Sequence, residues 1–166
     1  ERDPQPEGRR LRRGWYVVGL CMVAYVFSFI DRQILSLLIG PIKADLGISD
    51  TQFGLLSGLA FSIFYATMGV PIAGLADRVP RPAIIAAGIA FWSAATIACG
   101  FARGFGQLFA ARIGVGAGEA ALSPATYSLI ADLFPRERLG RAIAVYSLGS
   151  FLGAGLAFLV GGAAIA

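Results

Sequence analysis

Apolar positions run through this chain in long stretches, separated by short polar segments rich in Arg, Asp, Gly and Pro. A membrane-spanning helix needs about 20 mostly apolar residues, and five stretches reach that length: about 15–39, 51–76, 82–102, 105–129 and 142–166. The second, third and fifth carry no charged residue, the first holds Asp31 and Arg32, and the fourth holds Arg112 and Glu119. The runs lack the period-two alternation of outer-membrane strands. Short connections between them predict a compact all-α membrane bundle over residues 13–166. Residues 1–12, dense in charge and Pro, are expected to form a disordered tail. Gly and Ala crowd the third to fifth spans, and Gly114 with Gly118 and Gly149 with Gly153 form GxxxG pairs that let helices approach closely. Pro71 and Pro124 each remove a helical hydrogen bond and are expected to kink or hinge their spans. A bundle built this way expects further helices. The chain starts at Glu1 and stops inside an apolar run, so both ends are expected to be cuts.

Composition agrees with lipid as the solvent. The 166 residues are 57% hydrophobic and 14% charged, against about 25% charged in an ordinary soluble domain, and the mean hydropathy is +0.71. The net charge is +4, but its distribution argues for membrane topology and against nucleic acid. Arg9, Arg10, Arg12 and Arg13 precede the first span, Arg78 and Arg81 lie between the second and third, and Arg136, Arg138 and Arg141 lie between the fourth and fifth. The alternate connections hold only Lys43 and Arg103. Positive residues collect on the cytoplasmic side, which predicts a cytoplasmic N-terminus, with Trp15 and Tyr16 in an interfacial belt. Cys21 and Cys99 sit singly in apolar runs and read as small buried hydrophobes, and the absence of His removes His-based triads and His-ligated metal sites. A cleaved signal peptide is not expected, because the first apolar run is long and carries Asp31 and Arg32.

The four charges inside spans need a reason, since each costs at least about 2.5–3.5 kcal/mol on insertion scales. Arg32 lies seven residues before Ile39 and Arg112 seven after Phe105. At about 1.5 Å per residue both sit about 10 Å below the outer ends of their spans. Asp31 and Arg112 can therefore pair at one level. Glu119 lies two turns below Arg112 on nearly the same face, near the midplane. A purely structural account pairs Asp31 with Arg112 and lets Arg32 snorkel. It leaves out Glu119, which has no basic residue within one turn on its own helix. An acid in that setting is suited to taking up and releasing a proton, and Arg112, a permanent cation, can tune it or hold an anionic substrate. The run Gly114-Val115-Gly116-Ala117-Gly118 is not a GxGxxG fingerprint and follows no strand, so it reads as helix packing. No phosphate loop and no nucleophile–base constellation is evident, and neither an enzyme, a metal nor a cofactor is expected.

The connection Ala73-Gly74-Leu75-Ala76-Asp77-Arg78-Val79-Pro80-Arg81 puts an acid where topology alone has no use for one. It resembles the signature between helices two and three of the major facilitator superfamily, with Leu75, Ala76, Asp77, Arg78 and Arg81 in register. Ala73, Pro80 and Pro82 depart from that pattern. Arg112-Ile-Gly-Val-Gly116-Ala-Gly118 resembles the superfamily's second signature. The segment from Arg112 to Pro135, with Gly118-Glu119-Ala120 and Ile130-Ala131-Asp132-Leu133-Phe134, is similar to the spinster branch, as is the Asp31-Arg32 pair. Ala154 stands where an antiporter signature has Pro. The resemblance implies a twelve-span carrier in two six-helix halves, of which this chain supplies five of the first six. It implies that Asp77 is a conformational gate supported by Arg78 and Arg81. It implies further that Glu119 and Asp31 are protonation sites, with Arg32 and Arg112 tuning them or holding substrate.

The expected function is secondary active transport, proton-coupled and by alternating access, in a bacterial inner membrane. The resemblance points to a lysolipid or sphingoid substrate. A carrier of small organic anions, with Arg112 as the clamp, is the near alternative. A non-transporting receptor or assembly subunit is the alternative of another class. The expected partners are the substrate, protons, the bilayer and the C-terminal half of the same transporter.

Overall fold

The computed structural model describes residues 7–76 and 78–165 and, within them, the side chains of all but Glu7, Ala73, Ala76 and residues 163–165. Among the described residues all regular structure is helical: α1 (Glu7–Leu37), α2 (Ile39–Leu46), α3 (Asp50–Gly54), a π-helical turn (Leu55–Leu59), α4 (Ala60–Ala76), α5 (Arg81–Gly100), α6 (Phe105–Glu119), α7 (Leu122–Leu133) and α8 (Arg136–Ile165). Local sequence sets the boundaries. Gly47 takes φ 61° after α2, the left-handed conformation that Gly adopts freely. Ser49 opens α3 with a reciprocal capping box: its Oγ accepts from the Gln52 amide at 3.2 Å, and the Gln52 side chain accepts from the Ser49 amide at 2.9 Å. Pro80 and Pro82 bracket the start of α5, and Pro135 follows the last residue of the α7 turn, where a helix cannot readily continue.

Four helices are long and apolar enough to cross a membrane: Gly8–Leu37, Asp50–Ile72, Arg81–Gly100 and Arg136–Gly162. The expected fourth span is not one helix. It is divided into α6 and α7, with the break at Ala120 and Ala121. Pro124 explains the position, because a proline ring clashes with the carbonyl four residues back, here that of Ala120, and offers it no N–H. Pro71, by contrast, sits inside α4 without interrupting it. A second correction concerns the tail: residues 7–12, expected to be disordered, form the first turns of α1. Arg is a good helix former, and Arg10 is tied down by donating from Nη2 to the Asp132 carbonyl at 3.0 Å.

Helix α1 packs most extensively against α8, α6 against α5 and α4, and α7 against α5. Glycine makes these approaches possible at the contacts. A Cβ on Gly153 would stand 2.5 Å from the Val26 carbonyl oxygen, one on Gly116 2.8 Å from that of Phe61, and one on Gly118 2.8 Å from the Trp92 backbone nitrogen. Large apolar side chains such as Val70, Phe101, Phe151 and Leu159 face outward, as a lipid-solvated bundle requires. The buried apolar residues form two clusters. One holds Val18, Cys21, Ile84, Trp92, Leu122, Ile130 and Tyr146, and the other Leu35, Phe53, Leu56 and Leu108. On α1 and on α6 the buried polar residues fall between the two.

Candidate functional site

That middle layer is built from Ser28, Arg112 and Glu119, all buried, together with Arg32. Ser28 and Arg32 lie one turn apart on α1 and so share a face. Both reach the same oxygen of Glu119: Ser28 Oγ donates to Oε2 at 2.7 Å, and Arg32 Nε donates to Oε2 at 2.7 Å. The other carboxylate oxygen, Oε1, is buried and has no hydrogen-bond partner. The Arg32 guanidinium lies 5.0 Å from the ring centre of Phe29, 4.7 Å from Phe61 and 4.8 Å from Tyr65. Cation–π contacts of this kind contribute up to about 2 kcal/mol each when desolvated, so three aromatic rings help hold the charge inside the bundle. Phe61 and Tyr65, one turn apart on α4, stack with ring centres 5.4 Å apart.

Asp31 is not part of this pair. One residue before Arg32 on a helix is about 100° around the axis, and its Oδ2 accepts instead from Thr96 Oγ1 of α5 at 2.8 Å. Among the described residues the ion pairs within 4 Å are Arg32–Glu119, Lys43–Asp50 and Arg81–Asp132. The Asp31–Arg112 pair of the purely structural account is not among them. Arg32 points inward and does not snorkel, and Glu119, which has no basic residue within one turn on its own helix, receives one from α1. Counting residues along each helix gave no azimuth. Arg112 is 5% exposed, its Nε has no partner, and its guanidinium lies 5.6 Å from the Phe61 ring centre. Phe61 thus stands beside both arginines.

The site links α1, α4 and α6 through one carboxylate. While Glu119 is ionised, Arg32 and Ser28 fasten α1 to α6. A proton on Glu119 removes the negative charge that draws Arg32 in, and so weakens the tie. Buried charges that lose a partner are costly.

The Major Facilitator Superfamily model matches residues 21–166. The chain belongs to that superfamily. It is 36% identical over 155 residues to an MFS-type efflux pump of Mycolicibacterium smegmatis, a match covering 93% of this chain and 36% of the relative. It is 30% identical over 155 residues to the sphingosine-1-phosphate transporter SPNS2 of Danio rerio, covering 92% of this chain and 30% of the relative. Among solved structures, a bacterial homologue of the human lysosomal transporter Spinster, in an inward-facing and occupied conformation, superimposes with a TM-score of 0.85 at 41% identity, covering 89% of this chain and 32% of that one. The spinster-type resemblance read from residues 112–135 thus extends over the fold. The chain spans about a third of the length of these relatives.

The facilitator signature loop carries the remaining expected residues. Asp77 lies outside the described residues. Arg78 is exposed, and Arg81, at the start of α5, pairs with Asp132 near the end of α7. Arg10 of α1 binds the backbone carbonyl of the same Asp132, so three helix ends meet at one residue that sequence reading placed in a motif but gave no role. Ser28, Thr96, Phe29, Phe61 and Tyr65 were also missed. For Ser28 a signal existed, its spacing of four residues from Arg32. The aromatic residues carried none, being indistinguishable from lipid-facing ones until α4 is placed.

Proposed function

We propose that the full-length protein is a secondary active carrier in a bacterial inner membrane, moving an amphipathic lipid of the lysolipid or sphingoid kind by alternating access, coupled to protons. Superfamily membership supports transport. The likeness to spinster-type proteins, one of them a sphingosine-1-phosphate transporter, supports the lipid class. The observation that carries proton coupling is Glu119: a buried carboxylate with one oxygen fastened by Arg32 and Ser28 and the other unpartnered. A guanidinium at 2.7 Å disfavours a metal cation there and leaves a proton as the coupling ion. Proton uptake by Glu119 loosens α1 from α6, and release restores the tie. Asp31, held by Thr96, is the second acid in this reading. Arg112 is the permanent charge that tunes the layer or meets the anionic part of a substrate. Asp77, with Arg78 and Arg81, gates at the cytoplasmic end against the C-terminal half of the carrier, the N-terminus being cytoplasmic.

Arg112 favours a second reading. A buried guanidinium with an unpartnered Nε is suited to a small organic anion with no lipid tail. Proteoliposomes of the full-length protein, loaded with a pH-sensitive dye, separate these readings. Lysolipid addition is expected to drive proton movement that Glu119→Gln abolishes. Proton movement on adding a small organic anion, with none on adding lysolipid, favours the second. Activity that survives Glu119→Gln without change contradicts the assignment of Glu119.

A further inference from the structure

The Glu119 carboxylate is asymmetric, and the asymmetry has a source other than the ion pair. Arg32 supplies one bond to Oε2; Ser28 supplies the second, to the same oxygen, from a side chain that is itself 1% exposed. A buried hydroxyl must find a partner. Ser28 could have turned to the helix carbonyl one turn back, as Thr67 does in donating to the Ile63 carbonyl at 2.7 Å. It crosses instead to α6. Resting on the proton-coupling role of Glu119 given above, we propose that Ser28 is a positioning residue for that coupling: together with Arg32 it occupies Oε2, fixes the carboxyl plane, and reserves Oε1 as the atom that receives the proton.

The chemistry follows from donor and acceptor count. Arg32 can only donate, so it serves the ionised carboxylate and cannot accept a proton from the acid form. A hydroxyl can do both. Ser28 therefore favours the ionised form while donating, and once Oε1 carries the proton it can go on donating, more weakly, to Oε2, then the carbonyl oxygen of the acid. Besides Arg32, the ionisable groups on the middle stretches of the helices include Tyr25 and Asp31 on α1, Arg112 on α6 itself, Tyr65 on α4, Tyr127 on α7 and Tyr146 on α8. On α5 they are Arg81 and Cys99, in its first and last turns. None of them is recorded as hydrogen-bonded to Glu119, so Ser28 is the one uncharged group whose removal alters its bonding among the described residues.

The test uses the full-length protein in proteoliposomes, with lysophospholipid-driven proton movement followed across a series of pH values in the parent, Ser28→Ala, Ser28→Cys and Glu119→Gln. Losing a donor to the ionised form favours the acid form. The midpoint of proton movement is therefore expected to move to higher pH, by about one unit in Ser28→Ala and by less in Ser28→Cys, whose thiol is a weak donor of similar size. Ser28→Cys keeps the test decisive if the alanine variant does not fold. Abolition of the signal by Glu119→Gln, with midpoints in both serine variants unmoved or moved to lower pH, overturns the Ser28 role and leaves Glu119 in place. Persistence of the parent signal in Glu119→Gln overturns the coupling role of Glu119 and the Ser28 role with it.

Discussion

Arg32 holds Glu119 through Nε and lies over three aromatic rings, so shape matters at this position as well as charge. Lysine keeps the charge but loses the planar stacking surface. Arg32→Ala leaves a buried carboxylate unpaired. Breaking a buried pair costs about 3–5 kcal/mol. The low end, about 3 kcal/mol, applies here because the Arg32 side chain remains 22% exposed. In denaturant unfolding of the full-length protein in detergent, Arg32→Ala is expected to be destabilised by that amount and Arg32→Lys by less. Adding Glu119→Gln to Arg32→Ala is expected to recover part of the loss; equal stability of all variants contradicts the pairing. The residues of the site were legible because a charge inside an apolar run needs a reason, which singled out Asp31, Arg32, Arg112 and Glu119. Their partners were not legible. Depth along a helix follows from counting, whereas the direction of a side chain depends on how each helix is rotated against its neighbours.

At the scale of helices, glycine decides which pairs come close. A methyl group at Gly153 would press on the Val26 carbonyl oxygen of α1, and one at Gly116 on the Phe61 carbonyl oxygen of α4, whereas Gly155 has nothing within 4 Å. Overpacking of this kind costs about 1–3 kcal/mol. Gly153→Ala is therefore expected to lower stability by that amount in the same unfolding measurement, with Gly155→Ala near neutral. Gly116→Ala should also slow transport, because displacing α4 moves Phe61 and Tyr65 away from Arg32. Comparable behaviour of the 153 and 155 variants contradicts the close α1–α8 approach. The GxxxG pairs were readable as packing surfaces from spacing alone. Pro124 and Pro71 show where that reading stops: both are prolines within apolar runs, yet only Pro124 sits at a helix break, and nothing in the local sequence separates them.

For the whole molecule, the alternation of Arg-rich and Arg-poor connections predicts the direction of insertion. In a variant with Cys21→Ala and Cys99→Ala, a cysteine introduced at Arg103 is expected to react with a membrane-impermeant maleimide in intact cells. One introduced at Arg138 should react only in inverted vesicles, and the reverse pattern contradicts a cytoplasmic N-terminus. Bundle architecture was the most legible level, because long apolar runs mark the helices and short polar segments their connections, although the fourth run proved to be two helices. The least legible was the meeting of α1, α5 and α7 around Asp132, which depends on contacts distant in sequence. The account centres on Glu119 as the group that exchanges a proton. Infrared difference spectroscopy of the full-length protein, recorded on lysolipid addition in H2O and D2O, reads that exchange directly. The account predicts a carboxylic acid band that shifts in D2O, vanishes in Glu119→Gln and persists in Asp31→Asn. The same band unchanged in Glu119→Gln contradicts it.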